Sequence, residues 1–79
     1  MALIDAVSGT FVRILGFSSG HELESKLRQL GILPGDTARV VRQAPLGGPI
    51  LIEISGREIA LGQAIAAKVE VEEIECVSP

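Results

Sequence analysis

The chain has 79 residues, a formal net charge of -3, a hydrophobic fraction of 47% and two aromatic side chains, both Phe. A chain this short encloses one core, so we expect a single domain over residues 1–79, with its core at about 3–72 and a frayed tail at 73–79. The negative charge argues against nucleic acid as a partner, and no segment resembles a signal peptide or a membrane span. We therefore expect a cytoplasmic protein without direct membrane insertion.

The first third of the chain predicts a strand followed by a helix. The strand covers Thr10–Phe17, and apolar residues occupy both of its faces, so the pattern leaves the inward face open. Ser19 and Glu22 have the spacing of a capping box, which indicates that a helix begins there. The helix carries an apolar stripe at i, i+4 and i+7, formed by Leu23, Leu27 and Leu30.

The helix end and the next strand have clear local signals. Gly31 suits the left-handed position after a helix, and Ile32 can pack back on the last turn. The segment Leu33–Asp36 favours a type II turn, because proline presets the first central angle and glycine accepts a positive φ at the second. A second strand is predicted over Thr37–Ala44, with Ala38 directed inward.

The strongest prediction is a β-hairpin in the second half. After a loop at Pro45–Pro49, alternating isoleucines predict a strand from Ile50 to Ile54, and Ser55-Gly56 is a two-residue turn signal before Arg57–Leu61. This register places Ile52 opposite Ile59. It also places Glu53 opposite Glu58, a like-charge pair that must be solvated, neutralised or avoided by a bulge.

The last elements are a helical turn at Gly62–Ala67 and a closing strand at Val69–Glu72, where valine alternates with glutamate. The fold class is therefore mainly β. About five short strands bend into a small barrel, with one α-helix after the first strand and a short helical turn before the last strand.

Two motifs resemble the ferrous iron transport protein A (FeoA) family. One is LRQLGILPG at residues 27–35, which is similar to the family's helix end and following turn, and the other is VVRQAPLGGPI at residues 40–50, similar to its strand, loop and returning strand. The resemblance extends from about Leu3 to Val71. It implies a Src-homology-3-like (SH3-like) barrel that assists FeoB, a membrane transporter with a GTP-binding domain. It also implies an association with ferrous iron at the level of the family.

The leading functional hypothesis is an accessory protein that binds a FeoB-type transporter and does no chemistry itself. The alternative is a stand-alone SH3-like module that binds a proline-rich peptide or a metal-responsive repressor. A weak self-association stays open. No cofactor is predicted.

Residues with catalytic or metal-binding potential are few. His21 and Cys76 are single and far apart in the chain, so we expect no catalytic residue and no enzyme activity. Ligand spacings typical of metal sites are missing. The paired carboxylates of Glu53 and Glu58 are the best small candidate for a hard cation, against a simple solvated face.

Surface recognition is then the predicted mode of action. Leu46 lies between prolines and glycines, so it either offers an apolar anchor to a partner or folds over an open end of the barrel as a plug. Arg39, Arg42 and Arg57 are candidates for pairing with an acidic partner face, against ordinary solvated arginines.

Overall fold

The computed structural model describes residues 1–18, 21–44 and 46–74. This part of the chain begins with a 3-10 helix at Leu3–Asp5. The strands are β1 Phe11–Phe17, β2 Thr37–Gln43, β3 Ile50–Ile54, β4 Arg57–Leu61 and β5 Val69–Ile74, and the helices are α1 His21–Gln29 and α2 Gln63–Ala66. The predicted class, mainly β with a helix after the first strand and a helical turn before the last, is confirmed. Neither α-helix in the described ranges is long and apolar enough to cross a membrane.

The five strands form one antiparallel sheet in the order β4-β3-β2-β1-β5. The β3–β4 register places Ile52 opposite Ile59 and Glu53 opposite Glu58, as predicted. Ser55 has a φ of 53° and Gly56 a φ of 78°. Two positive φ values in a two-residue loop are typical of the type I′ turn, whose twist matches that of the flanking strands.

The core lies between the inner face of the sheet, the 3-10 helix and the two α-helices, and it is entirely aliphatic. None of the described residues buries a polar or charged side chain. The largest fully buried side chains are Leu3, Val12, Ile14, Leu27, Ile32, Val40, Ile50, Ile52, Ile54, Leu61, Val69 and Val71. Such an interior stabilises the fold but offers no polar group for chemistry.

The structure resolves which face of β1 points inward. Val12 and Ile14 are buried, and a shift of register between Ile14 and Gly16 then interrupts the pairing with β5. Leu15 occupies this bulge and is half exposed, whereas Phe17 beyond it packs against the core. The alternation therefore changes within the strand, which explains why both faces look apolar in the sequence.

Helix α1 ends just before Gly31, as the sequence predicts. Gly31 has a φ of 86°, and the amide of Ile32 donates to the carbonyl of Leu27 at 2.9 Å, which is the long bond of a Schellman motif. Leu27 is fully buried, while Leu30 at the end of the predicted stripe is 37% exposed. Ser19, the predicted cap at the other end of the helix, lies outside the described residues.

The two edges of the sheet differ in whether another segment of the described chain covers them. The N-terminus covers the outer edge of β5, because the amide of Val71 donates to the carbonyl of Met1 at 2.7 Å and Ala2 forms a bridge with Glu70. Strand β5 continues through Glu73 and Ile74, two residues that we expected in the tail, and residues 75–79 lie outside the described ranges. No ladder joins β4 to β5 in the part of the chain that is described, so β4 forms the second edge.

Candidate partner-binding surface

The β2–β3 loop presents Leu46 to solvent. The loop is closed by a bond from the amide of Ala44 to the carbonyl of Pro49 at 3.1 Å. Leu46 has an exposure of 104% and a φ of 59°, and Gly47 after it has a φ of 80°. A left-handed conformation costs an L-residue about 1–2 kcal/mol, and full exposure returns no burial energy. Leu46 is thus held outward and does not plug the end of the barrel. Pro45 lies outside the described residues.

A bulge in β2 lies next to this loop. Val40 pairs with Ile52, but the next pair along the ladder is Arg42 with Leu51, so Val41 and Arg42 together face one residue of β3. Bulges redirect side chains and occur often beside functional sites. Arg42 is exposed, and Val41 and Leu51 are half-buried. We call Arg42, Leu46 and Leu51 the loop surface.

The three arginines predicted to bind a partner have different surroundings. Nε of Arg39 lies 3.4 Å from Oε1 of Glu53, which neutralises one member of the like-charge pair. Nη2 of Arg57 donates to the carbonyl of Leu30 at 3.1 Å, at the end of α1. A cation at this position satisfies an orphan carbonyl and interacts favourably with the helix dipole.

Arg57 therefore links the β3–β4 hairpin to helix α1, a structural contact that sequence reasoning missed. The two residues are 27 positions apart, and no local pattern indicates such a contact. A Cβ added to Gly31 would clash with Nη2 of Arg57, so the glycine also leaves room for the guanidinium. Among the described residues, only Arg42 of the three arginines has neither an ion pair nor a hydrogen bond from its side chain.

A row of paired residues crosses the outer face of the sheet from β5 to β4. The registers place these residues side by side in the order Ile74, Phe11, Arg39, Glu53 and Glu58. The predicted carboxylate pair is thus formed, but the guanidinium of Arg39 already contacts one of the two carboxylates.

A metal ion bound by Glu53 and Glu58 would be held by two carboxylates, one of which already contacts the guanidinium of Arg39. The described residues contain no group of three or more His, Cys, Asp and Glu side chains that could hold a metal ion. Cys76 and the side chain of His21 lie outside what the structure describes. Hard cations usually take six or more oxygen ligands, so Glu53 and Glu58 alone would leave most positions to water.

The fold has counterparts among known proteins. The model of the FeoA domain matches residues 1–73. Iron(II) transport protein A from Clostridium thermocellum is 38% identical with a TM-score of 0.86, over 94% of this chain and 46% of that chain, so this chain spans less than half its length. FeoA of Stenotrophomonas maltophilia, complexed with zinc and described as an SH3 domain protein, is 26% identical with a TM-score of 0.77, over 91% and 89% of the two chains. The manganese regulator SloR is 18% identical with a TM-score of 0.82, over 92% of this chain and 34% of that chain, and this likeness concerns the fold alone.

Proposed function

Because the chain belongs to the FeoA domain family of ferrous iron transport, we propose that it assists iron uptake by binding a FeoB-type GTP-binding transporter on the cytoplasmic side. It acts by contact and catalyses no reaction. The relatives support the link to iron: one is an iron(II) transport protein, and the Stenotrophomonas maltophilia protein is described as a candidate ferrous iron transport activating factor.

Action by contact agrees with the chemistry of the described residues. Their interior is aliphatic, and no more than two of their carboxylates, those of Glu53 and Glu58, are paired as possible ligands of a metal ion. Within the described ranges, no group of three or more His, Cys, Asp and Glu side chains comes together that could activate a nucleophile or polarise a substrate. A protein of this kind influences a transporter by stabilising one of its conformations or assemblies.

The observation that carries the proposal is the conformation of Leu46. The residue is fully exposed and its backbone lies in the left-handed region. Both features oppose the stability of the isolated chain, and strained backbone is concentrated where function requires it. An apolar side chain that the backbone already directs outward is suited to fill a pocket on a partner with little further ordering of the backbone.

The rest of the loop surface adds selectivity. Leu51 provides half-buried apolar area at the base of the loop, where it pairs with Arg42, and Arg42 adds a positive charge that has no partner in the described chain. An acidic region of the transporter beside an apolar pocket would complement this arrangement. Charge complementarity of this type mainly raises the association rate, and salt screens it.

Co-purification with the transporter in lipid nanodiscs tests the proposal. We expect wild type to bind, and Leu46→Asp to lose binding, because a charge cannot enter an apolar pocket without a partner. The matched control is Leu15→Asp, which introduces the same charge at another exposed leucine, near the opposite end of the β2 ladder. Equal retention of both variants, or failure of wild type to bind, would contradict the proposal.

The alternative is a regulatory module that binds a metal-responsive repressor or a proline-rich peptide. The observation in its favour is the same fold within the longer manganese regulator SloR. Binding of wild type to a proline-rich peptide array, together with no retention on transporter nanodiscs, would favour this alternative. Retention on nanodiscs that Leu46→Asp removes would favour the transporter.

A further inference from the structure

In the described ranges of the chain, the β4 edge is the open edge of the sheet. On the opposite side, the N-terminal amine of Met1 donates to the carbonyl of Val71 at 3.0 Å, and the carbonyl of Met1 accepts from the amide of Val71. The first two residues thus act as a short cover for β5. No backbone hydrogen bond from another part of the described chain reaches the outer side of β4. Open edges are the places where a sheet can add a further strand.

The register identifies the free backbone groups on this edge. Ile54 and Arg57 flank the two-residue turn, so they form the first hydrogen-bonded pair of the hairpin. Antiparallel pairs alternate between hydrogen-bonded and non-hydrogen-bonded positions. The amides and carbonyls of Glu58 and Ala60 consequently point away from β3, and both residues are exposed.

The charge on the edge is unbalanced. Glu58 lies directly opposite Glu53, and the guanidinium of Arg39 contacts only Glu53. No cationic side chain in the described ranges lies within 4 Å of the Glu58 carboxylate. A strand added to β4 would place a side chain opposite Glu58 on the same face, and opposite charges at such a pair are stabilising.

We propose that the β4 edge binds an extended peptide segment of another protein, which carries a Lys or Arg opposite Glu58. The peptide adds a strand next to β4 through the backbone groups of Glu58 and Ala60. An apolar residue next to the basic one faces Ile59, which is half-buried on the inner side. This binding site is separate from the loop surface and does not depend on the transporter as the partner.

A second copy of this chain fits the edge less well. If two β4 strands pair antiparallel with their Ile59 residues opposite each other, each Glu58 faces Ala60 of the other copy and gains no cation. If the two Glu58 residues lie opposite each other, their carboxylates repel. If the two Ala60 residues lie opposite each other, Glu58 faces Gly62. The carbonyl of Gly62 already accepts a hydrogen bond from the amide of Ala66 at 2.9 Å, in α2. A basic peptide satisfies the charge that self-pairing leaves unbalanced.

The test uses the full chain labelled with ¹⁵N and two synthetic peptides of sequence Thr-Thr-Val-X-Val-Thr-Thr, with Lys or Glu at X, so that a valine faces Ile59 in either orientation of the peptide. We expect the Lys peptide to slow hydrogen exchange at the amides of Glu58 and Ala60 and to shift their resonances. It should bind about three- to tenfold more tightly than the Glu peptide, as a cross-strand pair changes from repulsive to attractive. Equal affinities, or shifts confined to other residues, would overturn the proposal.

Variants separate the charge from the backbone contribution. Glu58→Lys should invert the preference between the two peptides, whereas Glu22→Lys, the same change on the exposed side of α1, should leave it unaltered. Ala60→Pro removes an outward donor and should weaken both peptides equally, since proline is tolerated on an edge. Retention of the wild-type preference by Glu58→Lys, or concentration-dependent self-association through β4, would refute the proposal. The amide spectrum of each variant reports that it is folded.

Discussion

Replacement of Leu46 by glycine should make the protein more stable and less able to bind. The side chain is fully exposed, so its removal forfeits no burial energy. At a φ of 59°, glycine relieves a backbone cost of about 1–2 kcal/mol. The greater conformational freedom of glycine in the unfolded chain offsets about 0.4–1 kcal/mol of this stabilisation. The expected net stabilisation is about 0.5–1 kcal/mol, which raises the Tm of a domain of this size by about 2–8 °C.

The same variant should lose the anchor for the partner. A central apolar anchor typically contributes about 2 kcal/mol or more to binding, which corresponds to a roughly thirtyfold weaker Kd. Leu46→Ala is the matched variant, because alanine removes most of the side chain and keeps the backbone cost. We expect Leu46→Ala to bind as weakly as Leu46→Gly with a Tm near that of wild type.

Thermal unfolding followed by circular dichroism and titration of transporter nanodiscs measure the two effects. The reasoning is refuted if Leu46→Gly lowers the Tm, since this would mean that the leucine packs on the chain or that its backbone is not left-handed. It is refuted equally if the glycine variant binds the transporter with wild-type affinity, because the exposed side chain would then have no role in recognition.

Three further predictions concern stability, and urea unfolding measures each of them. Gly31→Ala should lower the free energy of unfolding by about 1.5–2.5 kcal/mol, since it adds left-handed strain and displaces the Arg57 guanidinium. The control is Gly9→Ala, which has a similar φ and nothing within 4 Å and should cost only about 1 kcal/mol. Equal losses in the two variants would argue against the contact between Gly31 and Arg57. Ile52→Val at a fully buried position should cost about 0.5–1.5 kcal/mol, and no loss would mean that this part of the core is loosely packed. Arg39→Gln should cost less than about 1 kcal/mol because its ion pair is only partly buried, and a larger loss would indicate that the outer row stabilises the sheet.

The elements that could be predicted from the sequence are those with local causes. Ser55-Gly56 permits only a tight turn with positive φ values, and that turn determines the pairing of Ile52 with Ile59. Gly31 likewise marks the helix end through its backbone freedom alone. In each case, neighbouring residues contain the signal that determines the local backbone.

Features that depend on distant contacts could not be predicted. The bulge at Leu15 depends on the pairing of β1 with β5, so the pattern of β1 alone leaves its inward face open. The bond from Arg57 to the carbonyl of Leu30 and the cover that Met1 provides for Val71 join segments far apart in the chain. For the candidate site, the sequence singled out Leu46 but left open whether it is exposed or plugs the barrel, and it did not indicate which of the three arginines lacks an ion pair and a side-chain hydrogen bond within the described ranges.

The central claim, that the loop surface contacts the transporter, is tested most directly by methyl nuclear magnetic resonance. Leucine methyl groups of the full chain are labelled, and spectra are recorded with and without FeoB-type transporter in nanodiscs. We predict that the Leu46 and Leu51 methyl signals broaden or shift while the exposed Leu15 signal stays unchanged. Unchanged Leu46 signals in the presence of excess transporter, or changes confined to Leu15, would contradict the claim.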